Sequence, residues 1–309
     1  MKKIQKNTKL GPILACATAF TIWGLNTPLI EKSLALFPLF SLIFLKFLVG
    51  AIVFLFLARK NWKKVPAKVW MRITVATLFG YGLNAALFYK GVMLTGGLNA
   101  SLIYLLAPLM LYFCSIKFLK ERYNHKLLFS VVAGFAGTIL IVSTPLLVGQ
   151  SGTRGSLLGN ILIILAVVTD VVGTILIKPV LKKVPTLQIS AIRSAIGAIM
   201  LAPFIMHELP SIAHIQMSTL GAFALGYNLL FATVIATYLF HWGLARIKGE
   251  QISPLQYLDP TVGAIASMII LAERPAATTL LGITLVFCGL YMGEARKLKL
   301  SHHHTTHYH

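Results

Sequence analysis

One long stretch of this chain occurs twice, and this repeat limits the folds that the chain can adopt. Residues 88–122 match residues 240–274 at a constant offset of 152 (260 − 108), and upstream the offset becomes 147 (174 − 27). The chain is therefore two copies of one unit, with extra residues inside the second copy. A repeat of this length is a property of the fold, because each copy forms one structural unit. The matched pairs include Thr27 and Thr174, Lys46 and Arg193, Gly50 and Gly197, Gly91 and Gly243, Gly97 and Gly249, Ser101 and Ser253, Pro108 and Pro260, and Glu121 and Glu273.

The composition places both copies in a membrane. Of the 309 residues, 57% are hydrophobic and only 12% are charged, whereas a soluble domain has about 25% charged residues. The missing charge indicates a surface that faces lipid rather than water. The net charge of +20 does not indicate nucleic-acid binding, because the basic residues lie in short runs between apolar segments. Such runs fix the orientation of a membrane protein.

Ten apolar segments are long enough to cross a bilayer, whose core of about 30 Å needs about 20 helical residues. Five segments fall in each copy, so the predicted fold is an all-α integral membrane protein with ten transmembrane helices. The predicted boundaries are an N-terminal segment at 1–10, a first repeat at 11–147, a second repeat at 157–294 and a basic, His-rich tail at 295–309. The first apolar run belongs to the repeat, so we expect a retained helix rather than a cleaved signal. The ten segments are 11–30, 38–58, 72–94, 98–117, 127–147, 157–177, 187–206, 217–244, 252–271 and 277–294.

The basic residues are distributed unequally between the two sides of the predicted membrane. The loops on the side of the N-terminus hold 22 of the 28 Lys and Arg residues, and the opposite loops hold only 3. This bias predicts that both termini face the cytoplasm and that the chain lies in the cytoplasmic (inner) membrane. Since each copy has an odd number of helices, the second copy enters the membrane from the opposite side. Inverted repeats of this kind are typical of secondary transporters, whose substrate site lies near the midplane between the copies.

Several short motifs at matched positions have the pattern of a known family. They are Asn99-Ala100-Ser101, Ala107-Pro108, the pairs Glu121-Arg122 and Glu273-Arg274, and Gly137 with Gly289. With the ten helices, they resemble the EamA type of the drug/metabolite transporter superfamily over about residues 11–294. In one departure, Ser130 stands where the second copy has Gly282, and the family often has Gly at both positions. The resemblance implies movement of metabolites across the cytoplasmic membrane, often efflux, without ATP hydrolysis. It also implies a cavity lined by helices one, three, four, six, eight and nine.

Lys90 lies near the outer end of its predicted helix and can extend to the headgroups, whereas four other charged residues lie deeper, where each charge is costly and needs a reason. Lys46 and Arg193 are repeat equivalents, each at a depth of about 10 Å from opposite faces at 1.5 Å per residue. They either attract an anionic part of a substrate or extend their long side chains to the headgroups. Either one of Asp170 and Asp259 binds a cationic group or a proton while the other pairs with Arg193, or both are structural partners of Arg193. We expect at least one direct ion pair, between Arg193 and Asp259.

Two prolines and a set of polar and aromatic residues complete the candidate site. Pro108 and Pro260 occupy matched positions in helices four and nine, where each frees a backbone carbonyl and bends its helix. We expect the two helices to face one another, with both prolines near the midplane. Such interruptions either mark a binding site or are tolerated kinks. The remaining candidate substrate contacts are Trp23, Asn26, Tyr81, Asn84, Asn99, Tyr104, Asn228, Gln256 and Tyr257.

These features together predict a secondary transporter that exports a small organic, amino-acid-like or zwitterionic solute. The expected partners are that solute and the lipid bilayer, with no cofactor, no metal and no nucleic acid, and the chain is expected to be a monomer or a weak homodimer. The alternative is an integral membrane enzyme that acts on a lipid-linked substrate, although the chain has no HExxH motif and no nucleophile elbow. A third alternative is a membrane assembly factor that transports nothing.

Overall fold

The chain is helical wherever its structure is described. The computed structural model describes residues 10–121, 156–212 and 218–270, with separate positions between 123 and 136 and between 281 and 288. Most of the predicted segments 127–147 and 277–294, and the whole C-terminal tail, lie outside the described residues. Within those ranges every regular element is a helix and no strand occurs. The prediction of an all-α protein is confirmed for this part of the chain.

The described helices of the two copies correspond one to one. In the first copy they are α1 (Leu10–Leu34), α2 (Leu39–Ala58), α3 (Ala67–Thr77), α4 (Asn84–Thr95), α5 (Gly97–Tyr104) and α6 (Leu106–Leu119). In the second copy they are α7 (Leu157–Leu181), α8 (Thr186–Ile205), α9 (Thr219–Gly226), α10 (Ala236–Leu244), α11 (Gly249–Leu255) and α12 (Leu258–Ile270). A π-helical stretch joins α3 to α4 at Leu78–Leu83, and another joins α9 to α10 at Tyr227–Ile235. Short turns occur at Arg59–Asn61 and Leu209–Ile212.

The secondary structure repeats with the sequence. α1 and α7 each have 25 residues, and their first residues, Leu10 and Leu157, differ by the offset of 147 (157 − 10). α5 and α11 begin at Gly97 and Gly249, which differ by the offset of 152 (249 − 97). The interruption between α5 and α6 recurs between α11 and α12, and both π-helical stretches fall in the third helix of their copy. The two copies therefore have the same order of elements.

The outer surface of the molecule suits lipid rather than water. Six helices in the described ranges are long and apolar enough to cross a membrane, which confirms a multi-pass membrane protein. Ile52, Ile199 and Ile269 have exposed fractions of 60%, 73% and 76%, and many such side chains in water would mark an aggregating surface. The six spans are Leu10–Leu34, Leu39–Asn61, Gly97–Leu119, Leu157–Leu181, Thr186–Ile205 and Thr219–Leu244.

Local sequence explains where several helices begin and end. Ser156 and Ser218 cap α7 and α9, because their hydroxyls accept hydrogen bonds from backbone amides three residues later. Pro38 and Pro185 precede α2 and α8 at matched positions, and the fixed φ of proline suits a helix start. Gly96 ends α4 with a φ of 82°, a left-handed conformation that glycine adopts without strain. This turn brings the chain directly into α5.

The interrupted helices of the two copies cross one another inside the bundle. α5 packs against α12, and α6 packs against α11. The first half of each interrupted helix therefore contacts the second half of the other, so the two run in opposite directions. Pro108 and Pro260 are both buried, and neither is exposed on the outer surface. The crossing helices thus enclose both prolines within the protein.

Candidate functional site

An internal cavity of about 140 Å³ lies among the helices of both copies. A protein cavity of about 150 Å³ accepts benzene, so this space suits a small organic solute. In the numbering of the ten predicted membrane helices, its wall includes residues from helices one, three, four, six, eight and nine. Predicted helix two adds Lys46 and Phe47, and predicted helix seven adds Arg193. The predicted site residues on this wall are Trp23, Asn26, Lys46, Tyr81, Asn84, Tyr104, Asp170, Arg193, Gln256, Asp259 and Pro260.

Four predicted site residues lie away from the cavity wall. The Asn99 amide donates to a backbone carbonyl of the preceding helix at 3.1 Å. The Asn228 amide donates to the Tyr89 hydroxyl at 2.9 Å, and the Tyr257 hydroxyl donates to a backbone carbonyl of the first copy at 2.6 Å. Pro108 is buried in α6. The three polar side chains therefore form hydrogen bonds within the protein and do not line the cavity.

Arg193 is held by neighbouring groups. Its guanidinium donates to the imidazole Nε2 of His241 at 2.6 Å and to the carbonyl of Gly80 at 3.1 Å, and it lies 4.6 Å from the centre of the Tyr81 ring. Arginine has no acceptor, so the Nε2 atom must accept and carries no proton. The proton of this neutral imidazole is therefore on Nδ1, which donates to the Ser190 hydroxyl at 2.8 Å. His241 is not among the residues predicted from the sequence, because a single histidine in an apolar run gives no distinct signal.

The first π-helical stretch brings backbone groups to Arg193. Gly80 and Tyr81 both belong to it, and Gly80 faces Gly173 of α7 so closely that a side chain on either would meet the other's backbone. Glycine at both positions allows this approach. π-helical stretches occur frequently at functional sites, and here the stretch directs a carbonyl and an aromatic ring toward one buried cation. The sequence analysis predicted Tyr81 but not the π-helical geometry that places it.

The expected ion pair between Arg193 and Asp259 is wrong. In the described part of the chain, no carboxylate lies within 4.0 Å of Arg193, and its nearest polar partners are uncharged. Asp170 is the carboxylate within electrostatic range of Arg193. Similar depth led to the wrong expectation, because depth along the membrane normal does not tell which helices are neighbours. Asp170, on α7, also faces the Tyr104 hydroxyl.

Lys46 differs from Arg193 although the two are repeat equivalents. Its ammonium lies 5.3 Å from the centre of the Tyr89 ring and 5.9 Å from that of Phe47. Among the described residues it has no hydrogen bond and no ion pair. Tyr89 and His241 are also repeat equivalents, so each copy sets a cation of its second helix against a ring of its third helix. Only Lys46 then presents its charge to the cavity without a carbonyl or imidazole partner.

Asp259 is the acidic counterpart of Lys46 on the cavity wall. Across the described ranges, its carboxylate has no hydrogen bond and no basic partner, and Asp170 is the charge in its electrostatic range. Four further wall residues carry buried oxygen atoms without a hydrogen-bond partner, namely Asn26 Oδ1, Tyr81 Oη, Ser101 Oγ and Gln256 Oε1. Buried polar atoms are nearly always bonded to protein, water or ligand. This group of oxygens is therefore suited to a ligand that donates hydrogen bonds.

Aromatic side chains form the rest of the wall. The Trp23 indole donates to a backbone carbonyl of the second copy at 2.9 Å and packs edge-on against Phe240, with ring centres 5.2 Å apart. The Asn84 amide donates to the Tyr104 hydroxyl at 3.3 Å, and Tyr104 packs edge-on against Phe88 at 5.2 Å. These contacts fix the orientation of the rings. The wall thus combines rigid apolar surfaces with a few polar groups, which is typical of small-molecule sites.

The fold and the cavity together define a class of protein. A multi-pass helical membrane protein with two matching copies, interrupted helices and a charged internal cavity is built as a membrane transporter. The comparison with known families agrees. Residues 9–143 and 157–293 match the EamA-like transporter family, and the chain belongs to this family. The resemblance drawn from the sequence motifs is confirmed, and the membrane enzyme and the assembly factor have no support.

Individual relatives are similar over most of their length. The "Uncharacterized transporter YetK" of Bacillus subtilis is 25% identical over 292 residues, which cover 94% of this chain and 88% of that protein. A protein of Archaeoglobus fulgidus that is also called a transporter is 23% identical over 284 residues, with coverages of 90% and 97%. A solved crystal structure matches with a TM-score of 0.75 at 18% identity, and the match covers 95% of this chain and 99% of that one. The structural match shows the fold.

Proposed function

We propose that this chain is a secondary transporter that exports a small zwitterionic, amino-acid-like solute across the cytoplasmic membrane. The observation that carries the proposal is a pair of opposite charges on one cavity wall. Lys46 lacks an acidic partner and Asp259 lacks a basic partner among the described residues, and both line the same space. A solute with both charges satisfies both groups at once.

The energetic argument rests on the cost of charge inside a membrane. Ionised side chains at this depth are expensive unless they are paired or face water. A solute with one charge neutralises one wall residue and leaves the other unpaired, whereas a zwitterion neutralises both. Binding that depends on such pairs discriminates strongly, because a partner left unpaired in a buried site is costly. The cavity therefore favours zwitterions over singly charged analogues of the same size.

The unpaired oxygen atoms of the cavity wall suit the ammonium end of the solute. Asn26, Ser101 and Gln256 each present an unpaired buried oxygen on the same wall as the Asp259 carboxylate. A primary ammonium has three donors and no acceptor, as the lysine side chain does. We assign the ammonium end of the solute to Asp259 and its carboxylate end to Lys46. We do not assign the carboxylate end to Arg193, because both of its terminal nitrogens already donate, one to His241 and one to Gly80.

The complete proposal includes ten helices in two inverted repeats, with both termini in the cytoplasm. The matched elements, the opposite directions of the interrupted helices and the unequal distribution of basic residues support it. With this topology, the proposed solute site, with Lys46 on α2 and Asp259 on α12, lies between the two faces of the membrane. Export then consists of exposing the cavity first to the cytoplasm and then to the outside.

A ligand-induced thermal shift tests the proposed substrate class. The purified protein is heated with each standard amino acid, with the corresponding amides, which keep only the ammonium, and with the deaminated acids. A ligand that binds only the folded state raises the midpoint of unfolding. We expect at least one zwitterion to raise the midpoint more than both of its singly charged analogues. Equal shifts for the three forms of every amino acid would contradict the proposal.

A further inference from the structure

The interrupted helices have a glutamate at their N-terminus. α5 begins at Gly97, whose amide donates to the carboxylate of Glu31 at 2.9 Å. α11 begins at Gly249, whose amide donates to the carboxylate of Glu121 at 3.0 Å. A carboxylate is stabilising at a helix N-terminus, where backbone amides are unpaired and the helix dipole is positive. Glu31 and Glu121 lie beyond opposite ends of the interrupted helix formed by α5 and α6. At 1.5 Å per residue, the two ends of this helix are roughly 35 Å apart.

The repeat shows that the two ends are built differently. Gly97 and Gly249 are equivalent, and each lies next to an equivalent serine, Ser267 and Ser115 respectively. The position of Glu31 in the first copy is taken by Lys178 in the second. A lysine has no acceptor and cannot bind the amide of a helix N-terminus.

Glu121 binds the N-terminus of α11, as Glu31 binds the N-terminus of α5. It accepts from the Gly249 amide, and its carboxylate lies 4.0 Å from the Lys178 ammonium. Lys178 also donates to the carbonyls of Leu244 and Ile247, just where α10 ends. One buried charge pair therefore joins the ends of α6, α7 and α10 to the start of α11.

The contact at Glu121 connects the two copies, whereas the contact at Glu31 does not. Glu121 belongs to the first copy, and Lys178 and Gly249 belong to the second. The exposed fractions of the two charged side chains are only 4% for Lys178 and 10% for Glu121. Moving the copies apart at this end separates a buried ion pair, which is costly. Glu31 and Gly97 both belong to the first copy and remain together during such a movement.

We propose that Glu121, Lys178 and the amide of Gly249 form a latch that keeps the cavity closed at the end where α6 terminates. Under the proposed topology this is the cytoplasmic end. The latch opens each time the cavity exchanges with that side, because exchange requires the two copies to separate there. At the other end, Glu31 takes the position of Lys178, and no charge pair between the copies occurs there among the described residues. The proposed latch is therefore specific to the end where α6 terminates.

Cysteine labelling tests the latch without knowledge of the substrate. Cys16, Cys114 and Cys288 are replaced by serine, and Thr174→Cys places a reporter on the cavity wall, one helical turn before Lys178. Sealed vesicles of both orientations are treated with a membrane-impermeant thiol reagent. Lys63→Cys and Gln150→Cys identify the two faces in separate samples. With the latch intact, we expect the reporter to react slowly from the Lys63 face.

The variant Glu121→Gln keeps an acceptor for the Gly249 amide but removes the charge that holds Lys178. We expect the reporter to react about tenfold faster from the Lys63 face, which corresponds to about 1.4 kcal/mol in the gate equilibrium. The matched control, Glu31→Gln, removes the same charge at the other end and is expected to leave labelling from the Lys63 face unchanged. Thermal unfolding of each variant verifies that the protein is folded.

Two results would overturn the latch. One is rapid labelling of the reporter from the Lys63 face while Glu121 and Lys178 are intact, a measurement that requires no change at the latch. The other is a folded Glu121→Gln protein that labels from that face no faster than its Glu31→Gln control. Lys178→Met removes the other half of the pair and is expected to reproduce the effect of Glu121→Gln. These outcomes depend on gating alone, so they are distinct from a failure to find a zwitterionic substrate.

Discussion

Replacement of Asp259 by asparagine is expected to reduce transport of the zwitterionic solute by at least about 30-fold, because loss of one partner of a desolvated charge pair costs at least about 2 kcal/mol. The variant keeps the shape of the side chain and its capacity to accept a hydrogen bond. In the described part of the chain, Asp259 has no basic partner that the change would leave unpaired. We therefore expect a normally folded protein whose initial rate of uptake into proteoliposomes is low.

The control for this variant is Glu208→Gln. Glu208 also carries a carboxylate, but it binds the backbone amides of Phe40 and Ser41 at the start of α2, away from the cavity wall. Loss of its charge is expected to leave uptake close to that of the unmodified protein. If Asp259→Asn folds and transports at the unmodified rate, the carboxylate does not bind the solute.

Replacement of Arg193 by methionine is expected to destabilise the fold by about 3–5 kcal/mol, since it breaks a buried charged network. The change leaves the Nε2 atom of His241 and the carbonyl of Gly80 without a donor, and it leaves Asp170 without its nearby cation. Equilibrium unfolding in mixed detergent micelles measures the loss.

A double variant separates the contribution of Asp170 from the rest of the network. Asp170→Asn in the Arg193→Met background removes the carboxylate that has lost its cation. We expect the double variant to be more stable than Arg193→Met alone, as a positive coupling in a double-mutant cycle. Strict additivity of the two changes would show that Asp170 does not depend on Arg193.

The sequence predicted those parts of the fold that depend only on position and length along the chain. The offsets of 147 and 152 anticipated the matched bounds of α1 with α7 and of α5 with α11, because copies of one unit form the same elements. Apolar length predicted the six membrane-length helices of the described ranges, because a bilayer core needs about 20 helical residues. Lys46 on α2 and Arg193 on α8, which were candidates because of their charge, both line the cavity.

The neighbours of each side chain could not be predicted. Lys46 and Arg193 are equivalent in sequence, yet the residues that face them differ, and only the structure shows that Arg193 donates to His241 and Gly80. Trp23 and Asp170 are also repeat equivalents, so the repeat fixes a position on the wall but not its chemistry. The choice of Asp259 as the partner of Arg193 failed because the order of helices in the membrane plane is absent from any count of residues.

The latch residues Glu121 and Lys178 were not predicted as site residues, because both lie near the ends of helices. Lys178 and Glu121 lie near predicted loops, where basic residues serve mainly to orient the chain, and Lys178 was counted among them. In the structure Lys178 is inside α7 and buried, and it binds two carbonyls and a carboxylate. Equivalence with Glu31 was the available signal, because a change from acid to base at matched positions shows that the two ends cannot close in the same way.

Transport of three related solutes by three proteins tests the central claim, that Lys46 and Asp259 hold opposite ends of the substrate. Proteoliposomes with the unmodified protein, Lys46→Met or Asp259→Asn are given the best zwitterion, its amide and its deaminated acid. We expect the unmodified protein to prefer the zwitterion, Asp259→Asn to lose the preference over the acid, and Lys46→Met to lose the preference over the amide. If both variants reduce the transport of all three solutes by the same factor, Lys46 and Asp259 do not bind the two charged ends of the solute.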